Sequence, residues 1–186
     1  MKKISFLVLS LSLILTACEP DSFRQTDLVD NYDFEASQND YPGWFINNLA
    51  GTVALSDQKS RSGDQSMILR SDDTGDDLIF VGQFINRFEK GKKVKLSAYL
   101  RLDDVEGEGL SLVVRGDTDA SNSPAEWFYT TEGKIHIAGK HRWKEYTLTT
   151  EDVVPDNINQ LTIYVVMLPN TSGQAWVDDI SLDYVE

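Results

Sequence analysis

The stretch Ala175 to Tyr184, reading AWVDDISLDY, constrains the fold more than any other part of the chain. Trp176, Asp178, Ile180 and Leu182 alternate with Val177, Asp179, Ser181 and Asp183, the two-residue period of a strand with one buried face. This parity puts Asp178 on the same face as Ile180 and Leu182. A carboxylate at an apolar face needs a cation or hydrogen-bond donors to replace its lost hydration. Glu35, in the early stretch Asn31 to Glu35 (NYDFE), raises the same question.

The same alternation recurs along the chain, and no segment carries a helical period. Val94, Leu96, Ala98, Leu100 and Leu102 alternate with Lys93, Lys95, Ser97, Tyr99 and Arg101, so the first set faces a core. Leu161, Ile163, Val165 and Met167 alternate with Thr162, Tyr164, Val166 and Leu168, apolar on both faces, as in a central strand. Strands are expected at Val29–Glu35, Thr52–Ser56, Gln65–Ser71, Leu78–Asn86, Lys92–Asp103, Gly109–Gly116, Glu126–Thr131, Lys134–Ala138, Trp143–Thr149, Gln160–Leu168 and Ala175–Tyr184. Loops fall at Ser56–Asp64, Ser71–Asp77, Asp103–Gly109, Asp117–Ala125 and Pro169–Gly173. The fold class is all-β, a two-sheet sandwich or jelly roll of about ten strands.

The chain begins with Lys2 and Lys3, an apolar run from Ile4 to Leu15, and the small-residue site Leu15-Thr16-Ala17-Cys18. The run is too short to cross a bilayer and reads as a secretory signal over residues 1–17. LTAC resembles a bacterial lipobox, which implies lipidation (a palmitate-type anchor) at Cys18, the chain's one cysteine, and attachment to an outer membrane or cell surface. The alternative is a plain secretory signal with a cysteine beside it. Residues 18–27 read as a polar tether and residues 28–186 as one domain. The formal charge of −13 argues against nucleic acid and anionic headgroups as main partners, and is compatible with divalent cations and neutral ligands such as glycans.

Several elements in order carry a family resemblance. They are NYDFE, Pro42-Gly43-Trp44, KSRSGDQSMIL, Gly82-Gln83-Phe84-Ile85, Gly91 before KVKLSAYLRL, Arg142-Trp143-Lys144-Glu145-Tyr146, and AWVDDISL. Together they resemble the jelly-roll carbohydrate-binding modules of the 4/9 type and their galactose-binding-like relatives. The resemblance covers nearly all of Asp30 to Tyr184, with Met67 and Tyr32 as departures. It implies two sheets, a structural calcium ion, and a sugar site on the concave sheet or at the loop tips.

For calcium the side-chain candidates are Glu35 and Asp178, with Asp33 as a further one and the Lys59–Asp64 loop supplying carbonyls. Alternatively these acids are solvated strand ends, or pair with Lys59 or Arg61. SDDTGDD lacks the order of an EF-hand loop and reads as a solvated turn.

Sugar recognition needs flat aromatic faces and planar polar groups. Trp127 and Tyr129 share one face of their strand, with Phe128 on the other. Tyr99 and Arg101 face away from the core, as does Tyr164, and form a groove floor with Gln83 and Arg115 if their strands lie in one sheet. The alternative for each is packing beneath a long loop. Trp44, Trp143 and Trp176 occupy positions that pack the core in the resembling modules.

Catalysis finds little support. His136 and His141 lack a nucleophile partner, and Glu106-Gly107-Glu108 sits in a glycine-flanked turn and not as two facing strand carboxylates. The expected function is therefore non-catalytic carbohydrate binding by a membrane-anchored lipoprotein, beside glycan-degrading enzymes or transporters. The alternative is an envelope interaction or structural module without a glycan site.

Overall fold

The computed structural model describes residues 28–36, 41–118 and 126–185. The signal, the tether and Cys18 lie outside them. Nine strands run β1 Trp44–Asn47, β2 Thr52–Ser56, β3 Ser66–Ser71, β4 Ile79–Ile85, β5 Lys93–Asp117, β6 Trp127–Thr130, β7 Ile137–Thr149, β8 Gln160–Met167 and β9 Thr171–Val185. The hydrogen-bonded order is β1-β4-β8-β5-β9-β3-β2, with β6 and β7 also on β5.

β5 is the seam of the sandwich. Its first part pairs with β9 from Lys93 to Gly107 and with β7. Its last part, Leu110 to Asp117, pairs with β8, and Val113 to Gly116 with β6. One layer is thus β2-β3-β9-β5-β7 and the other β1-β4-β8-β5-β6. The strand changes layer where Asp104, Gly107 and Gly109 adopt φ of 52°, 88° and 84°. A Cβ on Gly107 would overlap the Asn170 carbonyl oxygen, and one on Gly109 the Ile137 carbonyl oxygen, so the bend needs residues without side chains. The expected loop Asp103–Gly109 is this bend inside a continuous strand.

The core between the layers takes Leu96, Ala98, Leu100 and Leu102 from β5 and Leu161, Ile163, Val165 and Met167 from β8. Both sets match the parity of the sequence. β9 does not. Ser97 pairs with Ser181 but Tyr99 pairs with Asp178, so Ala98 faces two residues, Asp179 and Ile180. This bulge, with Asp179 at φ 46°, divides the strand's parity. Ala175, Val177, Ile180 and Leu182 all reach the core, while Trp176 and Asp178 turn to the outer side of the first layer. Of the three tryptophans expected in the core, Trp44 lies there, Trp176 is buried on that outer side with its Nε1–H donating to Ser56 Oγ at 3.4 Å, and Trp143 is half-buried.

Val29–Glu35 is not a strand. Asn31 and Phe34 have φ of 48° and 60°, and the Phe34 N–H donates to the Asn31 carbonyl at 3.2 Å. The turn drops Phe34, fully buried, into the core against Trp44, ring centroids 5.2 Å apart. Gln83 holds the preceding residue, accepting from the Asp30 N–H and donating to its carbonyl, both at 2.8 Å. β1 was not among the expected strands, and Lys134–Ala138 and Trp143–Thr149 contribute to one strand, β7. Truncation Phe34→Ala should cost about 3–5 kcal/mol, the range for a buried phenylalanine, read as a lowered midpoint in urea unfolding.

Candidate functional site

Two side-chain constellations stand on opposite outer faces of the sandwich. The first surrounds Asp178. Its Oδ2 accepts the Arg61 N–H at 2.7 Å and the Ser62 N–H at 3.2 Å, and its Oδ1 accepts the Asp179 N–H at 2.8 Å. Burial pushes its carboxyl up to about 6, against the pull of the backbone N–H groups from Arg61 and Ser62 and with the push of the Asp179 charge. Asp179 accepts from the Ser62 hydroxyl at 2.7 Å and pairs with the Arg61 guanidinium, which lies 3.5 Å over the centre of the Tyr99 ring. At the far end of the same loop Glu35 Oε1 accepts the Asp64 and Gln65 N–H groups at 2.8 and 2.7 Å. Asp33 accepts the Glu35 N–H at 3.3 Å.

The same two carboxylates are the side-chain ligands expected for calcium, and each is met by the loop between β2 and β3. The loop turns backbone N–H groups toward both carboxylates. The Lys59 carbonyl accepts the Ser66 hydroxyl at 2.5 Å, and the Gly63 carbonyl the Ser60 hydroxyl at 3.1 Å. Glu35 and Asp178 grip different residues of the loop, and among the described residues no three acidic, histidine or cysteine side chains gather where an ion could sit. The constellation holds a loop across the first layer by carboxylate–amide bonds.

The second constellation covers the outer face of the other layer. Cross-strand register puts Phe45, Gly82, Tyr164, Val113 and Thr130 in one row, and Phe84, Thr162, Arg115 and Phe128 in the next. Phe84 and Phe128 are 48% and 51% exposed, at opposite ends of their row. Phe45 stacks on Phe84 with centroids 4.7 Å apart and meets Phe80 and Tyr164 edge-on at 6.1 and 5.8 Å. Val113, Val166 and Leu168 form a small buried cluster beneath Phe80 and Tyr164. Arg115 donates from Nε to Asp117 Oδ2 and from Nη2 to Oδ1, both at 2.8 Å, and this pairing raises the guanidinium pKa. The Tyr164 hydroxyl is pushed up by burial.

The sequence-derived candidates are divided by this geometry. Tyr99 and Arg101 pair with β9 and Tyr164 with β4, so they stand on different layers and form no common floor. Gln83 points inward to Asp30, whereas Arg115 does lie beside Tyr164's row. Trp127 and Tyr129 share a face as expected, but it is the inner one. Trp127 is 6% exposed in the core, and Tyr129 packs against that core with its hydroxyl donating to Asp152 Oδ2 at 2.9 Å. Their outward neighbour Phe128 takes the position expected of them. Phe45 and Phe84 were not among the candidates. The signal for Phe84 was its place between the inward Gln83 and Ile85. His136 Nε2 lies 3.0 Å from the Gly107 carbonyl oxygen, and His141 contacts the Tyr146 hydroxyl at 2.9 Å and the Arg142 carbonyl at 2.7 Å. His136 thus links the start of β7 to β5, and the His141 contacts lie within β7.

No protein-family model and no curated protein matches the chain. Solved structures do. TmCBM61 in complex with β-1,4-galactotriose superposes with a TM-score of 0.59 at 12% identity, over 86% of this chain and 99% of that one. The CBM22-2 xylan-binding domain of Paenibacillus barcinonensis Xyn10C gives 0.60 at 14%, over 83% and 98%. A third match is to the enzymatically active domain of the bacteriophage CBA120 tailspike protein 4, with a TM-score of 0.61 at 15% identity. It covers 86% of this chain but 21% of the tailspike chain. The chain shares its all-β jelly-roll fold with these structures. The two-sheet jelly roll expected from the sequence is therefore present.

The N–H clamp around Asp178 has a direct test. Asp178→Ala should lower the melting temperature; a fall in the wild type on adding EDTA, reversed by calcium, would support a bound ion, and no change with EDTA would leave the N–H clamp alone to hold the loop.

Proposed function

We propose that this chain is a non-catalytic glycan-binding protein whose ligand lies on the outer face of β1-β4-β8-β5-β6. The observation that carries the reading is the row Phe84–Thr162–Arg115–Phe128. Two exposed aromatic rings flank the half-buried Arg115, an arrangement that covers the apolar faces of sugar rings with a guanidinium between them for their hydroxyls. The likeness to modules solved with galactotriose or described as xylan-binding supports the ligand class.

Further parts of the reading come from the sequence. Lipidation of Cys18 would tether the domain to a bacterial outer membrane or cell surface, through residues 18–27. There it would hold a polysaccharide close to degrading enzymes or transporters. The net charge of −13 would keep the domain off anionic headgroups. A second reading, docking of an envelope protein, draws on the same face, because its two exposed rings, Phe84 and Phe128, would equally serve an apolar partner surface.

Affinity electrophoresis of the protein lacking its first 18 residues, run against a polysaccharide panel, separates the two. Retardation by a glycan, weakened about tenfold (1.4 kcal/mol) in Phe84→Ala and in Phe128→Ala, supports the first. Migration unchanged by every polysaccharide favours the second. Trp127→Ala should act on stability, lowering the melting temperature. For the anchor, Cys18→Ser should move the protein from the membrane fraction to the soluble fraction on cell lysis.

A further inference from the structure

Gly82 lies inside β4, paired on one side with Phe45 and on the other with Tyr164. Glycine weakens a strand interior, and in that setting it marks a place where something approaches closely. Its backbone is not among the positive-φ residues, so conformation does not require glycine here. Space does. A Cβ at position 82 would lie 2.8 Å from Phe45 Cζ, 2.8 Å from Tyr164 Cδ1 and 3.0 Å from Phe45 Cε2. The two rings lean over the bare backbone from both neighbouring strands and meet edge-on at 85°.

Around this point the other rings are set. Phe80 and Phe84 flank Gly82 two residues away on either side, on the same face of β4. Phe80 meets Tyr164 edge-on at 5.4 Å, and Phe84 stacks on Phe45 at an interplanar angle of 26°. Phe84 is therefore exposed yet supported, and Phe45, its support, is in turn placed by the gap at Gly82.

We propose that Gly82 is the positioning residue of the aromatic face. Its missing side chain lets Phe45 and Tyr164 close over β4 into a ridge, and that ridge holds the Phe84 ring in the orientation a sugar ring stacks on. The proposal rests on the glycan reading of this face. A ring already fixed in one rotamer loses little entropy on binding, so the ridge converts contact area into affinity. Gly82 touches no ligand in this scheme; it acts through Phe45.

The atoms that an alanine would meet are ring atoms of two side chains, not backbone. Alanine at 82 can thus be accommodated by swinging the rings apart, while the strand itself gains from losing a glycine. This separates presentation from folding. The test compares full-length wild type, Gly82→Ala and Phe45→Leu in detergent, by aromatic NOE spectroscopy and by titration with β-1,4-galactotriose and soluble xylan. In Gly82→Ala the Phe45–Tyr164 ring contacts should vanish with the unfolding midpoint held or raised. Affinity for whichever glycan the wild type binds should fall about fivefold or more. Phe45→Leu, which removes the support and leaves Gly82 in place, should lose affinity similarly, and it serves if the alanine variant does not fold. Ring contacts that survive Gly82→Ala, or affinity that survives their loss, would overturn the proposal. Wild type that binds neither glycan would count against the glycan reading, while the ring contacts alone would still decide whether Gly82 places the rings.

Discussion

A single extra residue in β9 governs how the first layer is built. By setting Asp179 and Ile180 against Ala98, the bulge lets hydrophobic residues on both sides of it face one core and leaves Asp178 on the other side. A buried carboxylate without partners would cost several kcal/mol. Three backbone N–H groups meet it, two of them from Arg61 and Ser62, more than a hundred residues away in the chain. Hydrogen bonds to charged groups contribute about 1.5–3 kcal/mol each. The loop between β2 and β3 therefore has a defined resting place over the layer. Through Asp64 and Gln65 it passes the constraint on to Glu35 and the turn that seats Phe34 in the core. Bulge, loop and N-terminal turn form one chain of dependence.

The seam strand β5 divides the labour between faces. Its first part lies in the layer whose outer side carries the carboxylate–amide clamp and Trp176. Its last part lies in the layer whose outer side carries Phe45, Phe84, Tyr164 and Phe128. The change of layer takes place at Gly107 and Gly109. The closing strand and the aromatic face are separate physical problems, one of chain closure and one of surface presentation.

How far the sequence showed this depends on the kind of signal. Where one face is apolar over five or more alternating positions, as in β5 and β8, register was legible residue by residue, because a one-residue slip would expose the whole set. β9 carried the same alternation, but a bulge leaves no mark in composition: Asp178 and Asp179 are the same residue type, and which one is extra is decided by pairing with Ala98. The N-terminal segment NYDFE looked like a strand because Tyr32 and Phe34 are good strand formers. Tertiary packing of Phe34 against Trp44 overrode that preference, at the cost of a positive φ on a bulky residue. The site was half legible for a related reason. Parity told which residues of one strand share a face, so Trp127 and Tyr129 were grouped correctly and Phe128 opposed to them. It did not tell which of the two faces was the inner one in a four-residue strand with aromatics on both.

The chemistry of the aromatic face follows from what surrounds it. In a chain with a net charge of −13, Arg115 sits on that face already engaged by Asp117 through two parallel hydrogen bonds. A polyanionic ligand would have to compete with Asp117 for the guanidinium and approach an acidic protein. A neutral ligand faces neither obstacle, because the bidentate pair presents it with hydrogen-bonding edges and little net field. For such a ligand attraction would come from contact area, and the two exposed rings of the face, Phe84 and Phe128, offer no hydroxyl. Orientation of those rings thus carries the burden that charge carries elsewhere. A glycine beneath two converging rings makes physical sense on such a face, since stacking depends on how a ring lies as much as on its presence.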